Sequence, residues 1–160
     1  MRSDVSPRGN MKSIRLVAVC AFLSFVTLSQ APPAAANGML TGNYEMRISG
    51  RYDFHTWLWA VAACPTAGDC VHVVSIPQPI AKASTSRLNA PLHAGTYTMV
   101  VDDPFGLRCD NIYYGRTIAT EDTYAWDAVT LTGMMTSEYP VGCNGEPAGR
   151  YVYPFTLVRM

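Results

Sequence analysis

The chain has 160 residues, of which 49% are hydrophobic and 15% charged, with 12 basic and 12 acidic side chains. This length accommodates a leader and one folded domain, and it excludes a large multidomain protein. The balanced charge excludes the strongly basic class that is typical of nucleic-acid-binding proteins.

The first 36 residues have the pattern of an export signal. Four basic residues precede or flank a 13-residue apolar core at residues 16–28, and Ala34-Ala35-Ala36 supplies small residues for cleavage. This core is shorter than the roughly 20 residues that a membrane-spanning helix needs. We therefore predict a signal peptide over residues 1–36, with translation starting at Met1 or Met11, and one exported β-domain over residues 37–160.

The mature chain has eight basic and eleven acidic residues, a net charge of −3. This charge argues against nucleic acid and an anionic membrane surface as partners. An even number of cysteines in an exported chain predicts two disulfides with three possible connectivities, and the lack of a C-x-x-C pair argues against zinc. The four cysteines are Cys64, Cys70, Cys109 and Cys143.

Residues 55–76 predict a disulfide-linked β-hairpin at the centre of the domain. Two runs rich in Trp and Val flank the turn-forming segment CPTAGDC. If Cys64 lies opposite Cys70, Leu58 faces Ile76 across the hairpin, because strand side chains alternate. Both faces of this hairpin are apolar, so the second face requires a cover from the chain's own loops, a partner chain or a ligand.

The rest of the mature chain predicts further strands and no helix. Alternating apolar and polar residues indicate the strands, and Gly, Pro, Asn and Asp separate them. Besides the hairpin arms, the strands are expected within residues 42–49, 80–88, 96–101, 112–126, 129–139 and 150–159, with turns or loops at 89–95, 102–111 and 140–149. We predict an all-β antiparallel meander of about eight strands, forming a small barrel or sandwich.

A meander places alternate connections at opposite ends, which tests the cysteine pairings. The segment between Cys64 and Cys70 is the second connection, whereas Cys109 lies in the fifth and Cys143 in the seventh. Only the pairing of Cys64 with Cys70 and of Cys109 with Cys143 agrees with that layout.

The same layout gathers the odd-numbered connections at one end of the domain, the rim, where we expect solvated charges. These are Arg51, Asp53, Asp102, Asp103, Arg108, Asp110, Glu146 and Arg150.

Catalytic and metal-binding motifs do not stand out in the mature chain. It contains no G-x-S-x-G, H-E-x-x-H or phosphate-binding glycine loop, and we predict no metal and no cofactor. Our main hypothesis is a non-enzymatic exported domain that binds an apolar ligand, such as a lipid, or a protein partner. The ligand version predicts a cavity lined by Trp57, Trp59, Tyr97, Tyr153 and Phe155. The partner version predicts an exposed patch that includes Leu58, Ala60, Ala62, Val74 and Ile76.

Two other functions remain open at this point. A secreted hydrolase could use Asp102, Asp103 and Asp110 if their titrations were perturbed within a cleft. A structural envelope protein would need neither a cavity nor reactive groups.

Several motifs resemble a group of small exported mycobacterial proteins of unknown function. They are the signal peptide, W-x-W-x-V followed by C-x5-C-x-H-V-V over residues 57–74, Y-x-W-D at 124–127 and P-F-T-L-V at 154–158. This resemblance implies a secreted or cell-envelope location and no catalytic residues.

A shorter pattern resembles lipocalin-like barrels, which begin with a G-x-W strand and place a basic residue on the last strand beside it. Here Gly42-Asn43-Tyr44 is the analogue, with Tyr44 replacing Trp, and Arg159 is the basic residue. The resemblance implies that Arg159 points inward beside the first strand.

Overall fold

The computed structural model describes residues 41–66 and 68–160, which form a closed barrel of eight antiparallel strands. The strands follow chain order around the barrel, and β1 pairs with β8 to close it. This confirms the predicted all-β meander as a barrel rather than a sandwich. Its strands are β1 Gly42–Ile48, β2 Thr56–Ala63, β3 Cys70–Gln78, β4 Ser86–His93, β5 Thr96–Arg108, β6 Thr117–Asp127, β7 Thr132–Val141 and β8 Pro147–Arg159.

The predicted signal peptide, residues 1–36, lies outside the described residues. Among the residues that are described, none forms a helix of the length and apolarity needed to cross a membrane.

The β2–β3 hairpin has the predicted register. Leu58 lies opposite Ile76 and Ala60 opposite Val74. The tryptophan-bearing face of the hairpin points into the barrel, where Trp59 is 1% exposed. The other face is mostly half-buried on the outer wall.

Aromatic rings fill the centre of the barrel. The ring centroid of Trp59 lies 5.3 Å from Trp126, 5.5 Å from Tyr124 and 5.9 Å from Phe155. Gly133 permits this packing, because a Cβ at that position would lie 2.7 Å from both Phe155 and Trp126. The interior is therefore a packed core of interlocking rings.

The prediction for the fourth strand was wrong. Residues 80–85 form a loop, whereas most of the predicted turn at 89–95 belongs to β4. The Leu92 amide donates to the Asp69 carbonyl on the β3 side, so the adjacent Pro91 nitrogen faces β5. Pro91 is tolerated there because, among the described residues, β4 and β5 share only two paired positions, both beyond Pro91.

The predicted bounds of the later strands were also wrong. β5 runs through most of the predicted loop at 102–111, and a register shift between Asp103 and Leu107 absorbs its proline and glycine. By contrast, β6 begins at Thr117, inside the range predicted to contain it, because residues 112–116 lie in the preceding loop. The loop predicted at 140–149 covers only residues 142–146, because the pairing of β7 with β8 extends to Val141 and Pro147.

Both predicted disulfides are present among the described residues. Cys64 and Cys70 close the β2–β3 connection with a Cα–Cα distance of 5.8 Å. Cys109 and Cys143 join the β5–β6 and β7–β8 connections with a Cα–Cα distance of 5.6 Å. The pairing inferred from the meander layout is confirmed.

The two disulfides should differ in their contribution to stability. Their sequence separations are 34 residues for Cys109–Cys143 and 6 for Cys64–Cys70. Replacing Cys109 and Cys143 with Ser should lower the free energy of unfolding by about 3.8 kcal/mol, against about 2.4 kcal/mol for the shorter pair, because the longer loop constrains the unfolded chain more. Urea denaturation of both variants checks this order, and equal losses would contradict it.

Candidate functional site

The odd-numbered connections lie at one end of the barrel, as the meander predicted. We call this end the rim. Its loops are the β1–β2 loop at 49–55, the β3–β4 loop at 79–85, the β5–β6 loop at 109–116 and the β7–β8 loop at 142–146. These loops bury several charged side chains and expose several aromatic ones.

A charge cluster is buried just below the rim. Arg51, Asp53, Asp103 and Asp122 have side chains between 0% and 8% exposed. The Arg51 guanidinium lies 3.2 Å from an Asp103 oxygen, 3.7 Å from Asp122 and 3.9 Å from Asp53. The prediction of solvated rim charges was therefore wrong for Arg51, Asp53 and Asp103, because the carboxylates surround a guanidinium that makes their burial possible.

The buried carboxylates have different environments. Burial raises the pKa of Asp122, although Arg51 and hydrogen bonds from Ser137 and Thr120 oppose the increase. One Asp122 oxygen accepts both hydroxyl hydrogen bonds, at 2.6 and 2.7 Å, and the other accepts none from any described residue. Burial also acts to raise the pKa of Asp53, but the Arg51 charge and hydrogen bonds hold that pKa below its usual value.

Asp53 fixes the conformation of the β1–β2 loop. One of its oxygens accepts the backbone N–H of His55 at 3.0 Å and also contacts His55 Nδ1. Its other oxygen accepts the Trp57 indole N–H at 2.7 Å. The loop is therefore attached both to the charge cluster and to the first residues of β2.

Aromatic rings cover the outside of the same loops. Tyr52 meets Phe54 at a centroid distance of 4.8 Å, Phe54 meets Tyr113 at 4.6 Å, and Tyr113 meets Tyr114 at 4.5 Å, all edge to face. Tyr52, Phe54 and Tyr114 are 41%, 40% and 73% exposed. Ile112, which precedes Tyr113, and Ile80 of the β3–β4 loop are also exposed. We define the aromatic rim patch as Tyr52, Phe54, Ile80, Ile112, Tyr113 and Tyr114.

Arg108 joins the loops beneath the patch. Its guanidinium lies 5.7 Å from the Phe54 ring centroid and 5.9 Å from that of Tyr113. It also donates to the Tyr113 carbonyl at 3.2 Å and to the Lys82 carbonyl at 2.8 Å. One cation thereby contacts the β1–β2, β3–β4 and β5–β6 loops.

The five predicted ligand-lining residues belong mainly to the packed core. Trp59, Tyr97 and Phe155 are at most 3% exposed, and a groove of about 210 Å³ that reaches Trp59 lies on the outer wall beside Leu58 and Ile76. Trp57 borders a cavity of about 10 Å³, room for one water, and Tyr153 is half-buried. A lipid-sized ligand would have to displace these side chains, and their role in binding one stays a prediction.

Two of the three aspartates of the hydrolase hypothesis, Asp102 and Asp103, border one outer groove, but their side chains point to opposite faces of β5. Asp103 points into the buried charge cluster, Asp102 is exposed on the outer wall, and Asp110 is exposed in the β5–β6 loop. The outer groove has a volume of about 820 Å³, and its acidic side chains include Glu121 and Glu138. These two glutamates lie directly opposite each other on β6 and β7, an arrangement of like charges that opposes pairing.

The other predicted site residues occupy the outer wall and the far end of the barrel. The hairpin face proposed for a partner is half-buried except at Ala62, which is exposed. Arg159 pairs with Tyr44, and its guanidinium lies beside Gly42. Arg159 therefore shares the inward face of the wall with Tyr44, but it is exposed because it lies at the open end of the last strand.

Two signals in the sequence indicated the rim and were missed. In residues 51–55, charged or polar residues alternate with aromatic ones, and the structure buries the former and exposes the latter. Asp122 shares its alternation with Tyr124 and Trp126, which indicates an inward-facing carboxylate on β6. Tyr113 and Tyr114 carried no periodic signal, because they belong to a loop.

No family model, curated protein or solved structure matches this chain. Within residues 41–66 and 68–160, no group of three or more His, Cys, Asp and Glu side chains is placed to hold a metal ion. Function must therefore be argued from the geometry of the site.

Removing the Asp53 charge should destabilise the barrel in a pH-dependent way. We expect Asp53→Asn to lower the free energy of unfolding at pH 7 by about 2 kcal/mol, because the hydrogen bonds from His55 and Trp57 lose their charged acceptor. The pKa of Asp53 is depressed in the fold, so its contribution is present above about pH 4 and lost as the pH falls through the folded-state pKa. The difference between wild type and variant should therefore narrow in acid.

Chemical denaturation between pH 3 and pH 7 checks this expectation. Glu45→Gln is the matched control, since Glu45 forms an exposed pair with Arg47 and should leave the unfolding curve nearly unchanged. A variant at Asp53 that is as stable as wild type at pH 7 would contradict the assigned role.

Proposed function

We propose that this chain is an extracytoplasmic, non-enzymatic recognition domain that binds a protein partner through the aromatic rim patch. The observation that carries the proposal is a chain of four rings in edge-to-face contact, three of them exposed, on loops that buried polar contacts hold in place. A contiguous exposed apolar patch is uncommon on a monomer and is typical of interaction sites. Aromatic and arginine side chains are also the groups that dominate binding energy at protein interfaces.

The loops that carry the patch are fixed before binding. Asp53 holds the β1–β2 loop, Arg108 bonds to carbonyls of the β3–β4 and β5–β6 loops, and the Cys109–Cys143 disulfide fixes the base of the β5–β6 loop. A preorganised surface loses less conformational entropy on association than mobile loops do. This favours specific recognition by the rim.

The competing functions have less support in the geometry. A ligand-carrying barrel needs internal space, whereas Trp59 and its neighbours occupy the interior. The hydrolase hypothesis needs Asp102 and Asp103 to act on one substrate, whereas their side chains face opposite sides of the wall. The outer face of the β2–β3 hairpin is half-buried at Leu58 and Ile76, whereas three rings of the aromatic rim patch are exposed.

The extracytoplasmic location has two supports. The signal-peptide pattern of residues 1–36 predicts export, and two disulfides suit an oxidising compartment. The resemblance to small exported mycobacterial proteins points to the cell envelope or the medium.

Substitution at Tyr114 tests the proposed function. Tyr114 and Val129 are both 73% exposed, but Val129 lies at the opposite end of the barrel, so Val129→Ser is a control matched in exposure. Purified wild type, Tyr114→Ser and Val129→Ser would be cross-linked in the extracytoplasmic fraction of the source cells and compared by quantitative mass spectrometry. We expect a protein partner that wild type and Val129→Ser capture equally and Tyr114→Ser captures at least tenfold less.

Two results would contradict the proposal. One is capture of the same proteins by all three chains at equal yield. The other is a partner that is insensitive to Tyr114→Ser and lost on Ile76→Ser, which would assign recognition to the β2–β3 face. Circular dichroism of each variant establishes that the barrel is intact.

A further inference from the structure

His55 connects two rim loops through both nitrogens of its ring. Nδ1 contacts the Asp53 carboxylate, and Nε2 lies 2.8 Å from the Ala81 carbonyl oxygen in the β3–β4 loop. The side chain is 0% exposed, so bulk water cannot substitute for either partner. Both ring nitrogens are thus committed to protein atoms.

Only one form of the ring satisfies both contacts. The ionised Asp53 carboxylate and the Ala81 carbonyl accept hydrogen bonds and cannot donate them. A neutral imidazole has one N–H and would present a lone pair to the other oxygen, whereas an imidazolium donates to both. The geometry therefore favours the protonated ring.

The surrounding charges favour the same form. The buried cluster contains one guanidinium, Arg51, and three carboxylates, so a cationic His55 offsets part of its negative excess. The other charged or titratable groups near the ring are Glu45 and Arg47 on β1, which pair with each other, Lys82 beside Ala81, Arg108 at the end of β5, and Tyr113, whose ring centroid lies 6.1 Å away.

The Ala81 carbonyl is the point where three loops meet. It accepts from His55 of the β1–β2 loop and, at 3.4 Å, from the hydroxyl of Tyr113 in the β5–β6 loop. Ala81 directly follows Ile80, and Tyr113 adjoins Tyr114, so this junction lies under the aromatic rim patch. A change at His55 Nε2 therefore reaches all three loops that present the patch.

We propose that His55 is a positioning residue that makes the aromatic rim patch pH-responsive. Its imidazolium holds the three loops in one arrangement, and its deprotonation removes the hydrogen bond to Ala81 and loosens the β3–β4 loop, which then depends on Arg108 and Tyr113. Histidine is the residue type that proteins most often use for such pH-responsive contacts. That the patch then binds its partner more tightly at mildly acidic pH rests on the proposed function; the loop coupling is a property of the chain alone.

Nuclear magnetic resonance of the mature wild-type domain tests the coupling without a partner. The Ala81 carbonyl shares its peptide unit with the Lys82 amide, whose ¹⁵N shift reports on hydrogen bonding to that carbonyl. Between pH 5 and pH 8.5, we expect the Lys82 shift to follow the same curve as the His55 ring. Protection of the β3–β4 loop amides, corrected for intrinsic exchange, should fall about tenfold as the ring loses its proton.

Two variants make the assignment specific. His55→Gln should abolish the pH dependence of the Lys82 shift, whereas His93→Gln, which changes an exposed histidine on β4, should preserve it. A Lys82 shift in wild type that does not track the His55 ring overturns the proposal, even if His55→Gln fails to fold. So does a folded His55→Gln variant with the wild-type curve.

The failure of this inference is distinguishable from failure of the proposed function. The Lys82 amide shift could follow the His55 ring while Tyr114→Ser captures every partner as wild type does. That result would support the loop coupling and contradict the rim as the recognition surface. A partner that requires Tyr114 but binds equally at pH 6 and pH 8.5, with a flat Lys82 curve, would retain the surface and remove the pH response.

Discussion

The contact between Arg51 and three buried carboxylates is the constraint on which the barrel mouth depends. Without the guanidinium, Asp53, Asp103 and Asp122 would place like charges together in a medium of low dielectric constant. With it, each carboxylate also organises a different part of the chain. Asp53 positions the β1–β2 loop, Asp103 accepts the Phe105 amide within the β5 irregularity, and Asp122 joins β6 to β7 through Ser137.

The middle of the barrel interior and its rim end are therefore stabilised by different kinds of interaction. The middle of the barrel is held by aromatic and aliphatic packing around Trp59, which requires burial but no particular partner charge. The rim end is held by directional contacts, which fix loop positions more narrowly than apolar packing does. Aromatic side chains such as Phe54 and Tyr114 can stay exposed because polar contacts and a disulfide also hold the loops beneath them.

The fold could be inferred from the sequence to a greater extent than the site. Strand alternation and the parity of connections identified the meander and both disulfides, because period-two burial and loop direction are local properties. The sequence does not show which residues pair across strands. For this reason the prediction placed β4 too early and treated the segment around Pro91 as a turn, and it ended β5 before the register shift. The charge cluster joins Arg51 to Asp122 across the barrel, and such a contact depends on closure, which no local pattern records. The loop aromatics Tyr113 and Tyr114 likewise lack any periodic neighbour.

The β4–β5 boundary gives the closed barrel a preferred place to open. In the described structure these strands share two paired positions, whereas β5 and β6 share ten. Thermal excursions that part the wall should therefore begin there, exposing two free strand edges while the remaining seven boundaries stay intact. The exposed edges of such an opened sheet can pair with those of another copy, so the β4–β5 boundary is the part of the molecule most prone to self-association. Arg87 on β4 and Asp102 on β5 place charges beside that boundary, which discourages unwanted edge pairing.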